Sequence, residues 1–67
     1  MNEWQPRLND RVRVKTDATA SDQELAGRRG TVVGLGHFTV VLLDRRKEAD
    51  YLNDFNLEPV GKTRARV

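Results

Sequence analysis

The sequence predicts an all-β domain in which five short strands roll into a small barrel. Three observations predict this fold class. The chain has 67 residues, which is enough for one hydrophobic core. Residues 11–15 alternate strictly between basic and apolar side chains. Further short β-rich runs follow, separated by turn residues. Closure would remove exposed sheet edges, which suits a chain too short to cover them.

The first predicted strand, residues 11–15, follows a lead-in over residues 1–8. Because successive side chains of a strand point to opposite faces, Val12 and Val14 are expected to face the core. The outward side chains of this strand are Arg11, Arg13 and Lys15. The strand is therefore predicted to be half buried.

A long polar loop, residues 16–28, separates the first strand from the second. Ser21 followed by Glu24 has the spacing of a capping box, which predicts a single helical turn over residues 22–25. Gly27 and Gly30, around the end of the loop, predict backbone angles that other residues do not readily adopt. Long loops of this kind often carry function.

The remaining strands are predicted at residues 31–33, 37–43, 49–52 and 57–60. Between them, Gly34 and Gly36 predict a bulge and a tight turn. Residues 44–48 form a charged hairpin tip, and residues 53–56 a short turn of 3₁₀ type. The last strand is expected at a sheet edge, where Pro59 is tolerated.

The barrel is predicted to span residues 9–60, followed by a basic tail over residues 61–67. Its core is expected to contain the apolar side chains that the strands turn inward. The predicted core residues are Val12, Val14, Val32, Phe38, Val40, Leu42, Leu52, Phe55, Leu57 and Val60.

The first half of this pattern contains two segments, residues 9–14 (NDRVRV) and 25–32 (LAGRRGTV). They resemble the G-D-x-V-x-V strand and the G-x-x-G-x-V turn and strand of a KOW-type motif. Asn9 stands where that family usually has Gly, and the loop over residues 16–24 separates the two parts. The resemblance implies a barrel of the SH3-like type.

The second half has a different likeness. Residues 40–44 (VVLLD) and 51–60 (YLNDFNLEPV) are similar to the small SH3-like subunits of photosynthetic electron-transfer complexes, such as the photosystem I reaction-centre subunit IV. Those subunits are non-catalytic and support ferredoxin docking. The two resemblances together imply a five-stranded SH3-like small barrel that binds a partner.

The composition argues against catalysis. Nucleophilic catalysis needs an activated side chain beside a base, but the chain has no Cys and a single His, His37, at a predicted strand start. Zinc prefers Cys and His ligands, so a zinc site is also disfavoured. We therefore predict a protein that is not an enzyme and that uses no metal or cofactor.

The basic residues supply the predicted binding surface. The net charge is only +2, so their distribution matters more than their total. The basic residues of the first strand and those at the start of the second are expected to join into one patch, with another at the hairpin tip. The candidate contacts are Arg11, Arg13, Lys15, Arg28, Arg29, Arg45, Arg46 and Lys47. The alternative is a solvated face, partly neutralised by Asp10, Asp44, Glu48 and Asp50.

Aromatic side chains offer a second kind of contact. Both base stacking and peptide binding need exposed rings, and Trp4 and Tyr51 are the candidates. For Trp4, packing of the lead-in against the barrel is the competing role.

The predicted function is a binding module that recognises an acidic partner, either nucleic acid or protein. Two alternatives stay open: a docking or assembly subunit of a larger protein complex, and an oligomeric enzyme whose site forms between subunits. A homo-oligomer also stays open, because a domain of this size is marginally stable alone. The absence of Cys, of a signal-like start and of a long apolar run predicts a cytoplasmic protein with no membrane partner.

Overall fold

The computed structural model describes residues 4–60 and shows one sheet of five strands. The strands are β1 Arg11–Val14, β2 Arg29–Gly34, β3 Thr39–Leu43, β4 Asp50–Leu52 and β5 Leu57–Pro59. Two 3₁₀ helices, Ala20–Leu25 and Asp54–Asn56, precede β2 and β5 respectively. The predicted β-rich class is therefore confirmed. The predicted basic tail over residues 61–67 and the start of the lead-in lie outside the described residues.

The strands lie in the order β4-β3-β2-β1-β5, and each neighbouring pair is antiparallel. β1 therefore joins the early and late parts of the chain, because it pairs with both β2 and β5. Within residues 4–60, β4 and β5 each pair on one side only, so the sheet is not closed and the predicted barrel is not shown. The described segment also lacks any helix with the length and apolar character of a membrane span.

The alternation of β1 produces the burial that we predicted. Val12 and Val14 are fully buried, and Arg11 and Arg13 lie on the opposite face. These two valines pack with Val32, Val41, Leu43, Leu52 and Leu57 in the core. The core therefore lies against one face of the sheet, and the basic side chains of β1 lie on the other.

Gly30 allows β2 and β3 to approach closely. A Cβ atom at this position would lie 2.5 Å from the carbonyl oxygen of Leu42 and 2.7 Å from the Cα of Leu43. No side chain can be accommodated there without movement of the β3 backbone. Of the two glycines predicted to have unusual backbone angles, only Gly27 has a positive φ, of 86°. At Gly30 the reason for glycine is close approach.

The inward face of β3 is the opposite of the one we predicted. The side chains that β3 buries are Thr39, Val41 and Leu43. The predicted core residues that lie toward solvent instead are Phe38, Val40 and Leu42. Because four of the five β3 residues are apolar, alternation does not indicate which face is buried. The pairing of Gly30 with Leu43 and of Val32 with Val41 sets the register.

Two further predicted core residues are also not in the core. Phe55 is 65% exposed on the second 3₁₀ helix, and Val60, just after β5, is only half-buried. The residue of this helix that is buried is Asn56. The prediction for Phe55 was wrong because a polar side chain, that of Asn56, occupies the inward position of this helix.

The buried carboxylate of Asp22 explains why the polar Asn56 is directed inward. Asp22 Oδ2 accepts hydrogen bonds from the backbone N of Asn53 (3.0 Å), from Asn53 Nδ2 (3.1 Å) and from Asn56 Nδ2 (2.7 Å). Asn56 also exchanges hydrogen bonds with the backbone of Thr19, at 3.1 and 3.2 Å. Buried polar groups require such partners. The long loop is therefore attached to the second 3₁₀ helix through side chains.

The helical turn predicted within the long loop is present as the first 3₁₀ helix, Ala20–Leu25. The predicted cap at Ser21 is wrong. Thr19 occupies the N-cap position and makes no capping hydrogen bond through its side chain. Asp22, which is buried, anchors this turn in place of a cap.

Candidate binding surface on the outer face of the sheet

The outer face of the sheet, opposite the core, carries the basic residues of β1 and β2. Arg13 lies opposite Arg29, and Arg11 lies opposite Thr31, in the antiparallel pairing of these strands. The structure therefore brings together the basic residues of the first two strands. Three carboxylates, those of Asp44, Asp50 and Glu58, form ion pairs with arginines of this region. The arginines that they leave unpaired are the ones that can bind an external acidic group.

Arg11 forms a two-point ion pair with Asp44, which follows β3 directly. Its Nη1 atom donates to Asp44 Oδ1 at 2.9 Å, and its Nη2 atom donates to Oδ2 at 2.8 Å. Nη1 also donates to Thr31 Oγ1 at 3.1 Å. The hydrogen bonds from Arg11 lower the pKa of Asp44, and the same bonds raise the pKa of Arg11. Both groups therefore stay charged at neutral pH.

Two other predicted contact residues are also paired within the chain. Arg13 binds Glu58 of β5, with Nε donating to Glu58 Oε2 at 2.6 Å. Arg46 binds Asp50 across the hairpin, with an Nε to Oδ2 distance of 2.9 Å. Each pair is close to neutral as a unit, so neither adds net positive charge to the outer surface.

Arg29 and Arg45 remain next to Asp44 without a carboxylate of their own. Both are exposed, and both lie near enough to contribute to the lowered pKa of Asp44. Among the described residues no carboxylate lies within 4 Å of either guanidinium. We call Arg11, Arg29, Arg45 and Asp44 the arginine cluster. It contains three guanidiniums and one carboxylate, and so has an excess of positive charge.

The other candidate cations lie outside this cluster. Arg28 and Lys47 are exposed, and Lys15 is half-buried at the end of β1. Lys47 lines a shallow, open depression at the hairpin tip together with Arg46 and Glu48. Within residues 4–60 these three cations have no ion-pair partner either. They add positive charge without forming a defined constellation.

The two aromatic candidates differ in exposure. Trp4 is half-buried and packs against the core, which fits the competing role considered for it. Tyr51 is 69% exposed on β4. Phe38 and Phe55, which we predicted to lie in the core, are exposed as well. Of the two candidates, therefore, only Tyr51 exposes most of its side chain to a binding partner.

An apolar area adjoins the arginine cluster on the same face of the sheet. Tyr51 of β4 lies opposite Val40, and Leu42 lies two residues farther along β3. Val33, which is 49% exposed at the bulge between Val32 and Gly34, belongs to the same region because it alternates with the buried Val32. We call Val33, Val40, Leu42 and Tyr51 the apolar strip. Leu35 and Phe38, in the turn joining β2 to β3, expose further apolar surface at its end.

The outer face can thus make ionic and apolar contacts side by side. Leu42 and Asp44 point to the same face of the sheet, because side chains two residues apart share a face.

His37 is exposed in the β2–β3 turn. The described part of the chain has no group of three or more His, Asp or Glu placed to hold a metal ion.

Comparisons with protein-family models, with curated proteins and with solved structures find no match for this chain.

Proposed function

We propose that this protein is a non-catalytic binding module that recognises an acidic partner through the outer face of its sheet. The observation that carries the proposal is the arginine cluster, in which Arg11 pairs with Asp44 and two further arginines adjoin Asp44: Arg29, whose backbone oxygen accepts from Asp44 N at 2.9 Å, and Arg45, the next residue. Guanidiniums bind carboxylates and phosphates through paired hydrogen bonds, as Arg11 does with Asp44. Arg29 and Arg45 are available for an acidic group from outside.

The exposure of the cluster limits the affinity that any one contact provides. Exposed ion pairs typically contribute only about 0.2–1 kcal/mol each. A partner would therefore need several acidic groups, and binding would weaken as salt screens them. Arg28 and Lys47, which are exposed and lack a carboxylate partner in residues 4–60, would add long-range attraction for such a partner from outside the cluster.

We further propose that the sheet belongs to an SH3-like small barrel. Its support is the succession of a long loop after β1, three consecutive antiparallel strands, and a 3₁₀ helix just before a final strand that pairs with β1. That architecture presents strands and loops as a contact surface, which is consistent with function by binding.

The test uses a fluorescein-labelled polyglutamate peptide, with anisotropy measured at low salt and at increasing salt. The variant Arg29→Gln/Arg45→Gln should bind several-fold more weakly than the parent chain. Asp44→Asn should bind more tightly, because it removes the carboxylate that occupies Arg11. Arg7→Gln is the control for lost charge, since Arg7 is exposed, precedes β1 and is not a member of the cluster.

Two results would contradict the proposal. One is an absence of binding at low salt for the parent chain. The other is a loss of affinity per removed charge that is the same for Arg7→Gln as for the double variant. That second result would mean that net charge, and not the cluster, attracts the ligand.

A further inference from the structure

We infer that the acidic partner is a protein segment that carries apolar side chains beside its acidic ones, and that the apolar strip binds those side chains. This inference rests on the proposed function and specifies the class of partner. It starts from the position of the apolar strip, which shares a face with the arginine cluster.

The two areas are continuous across the sheet. Leu42 points to the same face as Asp44, at a distance of roughly 7 Å along the strand. Leu42 also lies opposite Thr31, whose hydroxyl binds Arg11. A ligand that places a carboxylate at Arg29 or Arg45 would therefore bring its neighbouring groups directly over Leu42.

The side chains of the apolar strip lie on the face opposite the core, and three of the four are exposed to solvent. Leu42 is 38% exposed, and Tyr51, its diagonal neighbour on β4, is 69% exposed. Val33 lies on this face because it alternates with the buried Val32 along β2, and the bulge leaves it without a paired residue on β3. Contiguous exposed apolar surface rimmed by polar residues is typical of interaction sites.

The chemistry of the strip favours a protein over a nucleic acid. Single-stranded nucleic acid binds through stacking of bases on aromatic rings, and successive bases need successive rings. Three of the four strip residues are aliphatic, and the region offers only two rings, Tyr51 and, at the end of the strip, Phe38. Aliphatic side chains gain most from burial against other apolar side chains, which a peptide provides.

The charges disfavour a second copy of this chain as the occupant. Two copies that met through their apolar strips would each bring an arginine cluster to the same interface. The excess positive charges would then lie close together, which opposes association. An acidic segment removes this repulsion and uses the cluster as well as the strip.

The test compares two labelled peptides of equal length and charge, one alternating Leu with Glu and one alternating Ser with Glu. The Leu/Glu peptide should bind at least about tenfold more tightly, since burying even part of a Leu side chain is sufficient for that ratio. The variant Leu42→Thr/Tyr51→Thr should abolish this preference and leave the affinity for the Ser/Glu peptide unchanged. Threonine keeps the β-sheet preference of both positions.

The matched control is Leu8→Thr. Leu8 is 54% exposed but lies in the lead-in, outside the apolar strip. This variant should retain the full preference for the Leu/Glu peptide. Circular dichroism and urea unfolding confirm that each variant is folded before its affinities are compared.

The outcomes separate this inference from the proposed function. Equal affinity for both peptides, with the salt dependence intact, would overturn the inference and leave the proposed function standing. Tighter binding of a labelled oligothymidine than of the Leu/Glu peptide would overturn it in favour of nucleic acid. Self-association of the parent chain that Leu42→Thr/Tyr51→Thr removes would assign the strip to a second copy. Failure of every acidic ligand to bind would overturn both proposals.

Discussion

Asn56 Nδ2 donates a hydrogen bond of 2.7 Å to Asp22 Oδ2, and this bond joins two buried side chains that lie 34 positions apart. Asp22 belongs to the long loop after β1, and Asn56 belongs to the 3₁₀ helix before β5. The loop has few buried apolar side chains of its own, so its placement depends strongly on this carboxylate. The dependence can be measured.

Asp22→Ala should lower the free energy of unfolding by about 3 kcal/mol, because it removes the acceptor of three hydrogen bonds, one of them buried and two partly buried. Urea unfolding followed by the fluorescence of Trp4, the single tryptophan, measures the change. The control is Asp17→Ala, an exposed carboxylate on the same loop, which should change stability by less than about 0.5 kcal/mol. Equal effects of the two substitutions would show that the hydrogen bonds at Asp22 do not hold the loop.

Gly30→Ala should destabilise the fold by at least about 3 kcal/mol, the upper range for overpacking, because the new methyl group would meet the β3 backbone. Gly36→Ala provides the comparison. Its Cβ atom would meet nothing closer than the carbonyl oxygen of Phe38, at 4.0 Å. Chemical denaturation of both variants should show a large shift of the midpoint for Gly30→Ala alone. A tolerated alanine at Gly30 would mean that β2 and β3 are farther apart than described.

Asn9 has a φ angle of 73°, a left-handed conformation that asparagine adopts more readily than most residues. Asn9→Val should cost about 1–2 kcal/mol, because a β-branched side chain is strained there. Asn9→Gly should be close to neutral. The comparison of the two midpoints in urea is the measurement, and similar values would show that the backbone at this turn relaxes.

The Arg11–Asp44 ion pair should make stability depend on pH in the acidic range. The pKa of Asp44 is lower in the folded chain than its usual value of about 3.9. The unfolded chain therefore binds this proton more readily, and the pair contributes stability above the usual pKa. That contribution is lost as the pH falls through the lowered folded pKa. Arg11 keeps its charge throughout this range.

Unfolding experiments on the parent chain and on Asp44→Asn, from neutral pH into the acid range, test this dependence. The stability advantage of the parent chain should be present above about pH 4 and should disappear as Asp44 becomes protonated. Glu48→Gln, which alters an exposed carboxylate of the same hairpin, should show no comparable dependence. A constant difference between the parent chain and Asp44→Asn at all pH values would contradict the assignment.

The contrast between β1 and β3 shows how much of the fold is predictable from the sequence. In β1 arginine alternates with valine, so only one face can be buried, and the prediction was confirmed. In β3 apolar residues occupy both faces, and the inward set depends on pairing with β2 and on the bulge after Val32. The exposed Phe38 and Leu42 were therefore assigned to the core.

The candidate surface was predictable only in its components. From the sequence we predicted the cations and expected Asp44 and Asp50 to neutralise part of their charge. Both carboxylates do pair with arginines. It did not identify Glu58, which lies 45 positions from Arg13 and reaches it because β1 pairs with β5. The apolar strip was missed for the same reason as the register of β3.

The two-sided apolar character of β3 also has a consequence for folding. Sliding β3 by one residue along β2 would exchange Val41 and Leu43 for Val40 and Leu42 at little hydrophobic cost, so a misaligned state competes with the native one. In that state Asp44, which shares a face with Val40 and Leu42, would also turn toward the core side and lose its ion pair with Arg11. One charged side chain just beyond the strand therefore distinguishes two alignments that hydrophobicity alone leaves nearly equivalent.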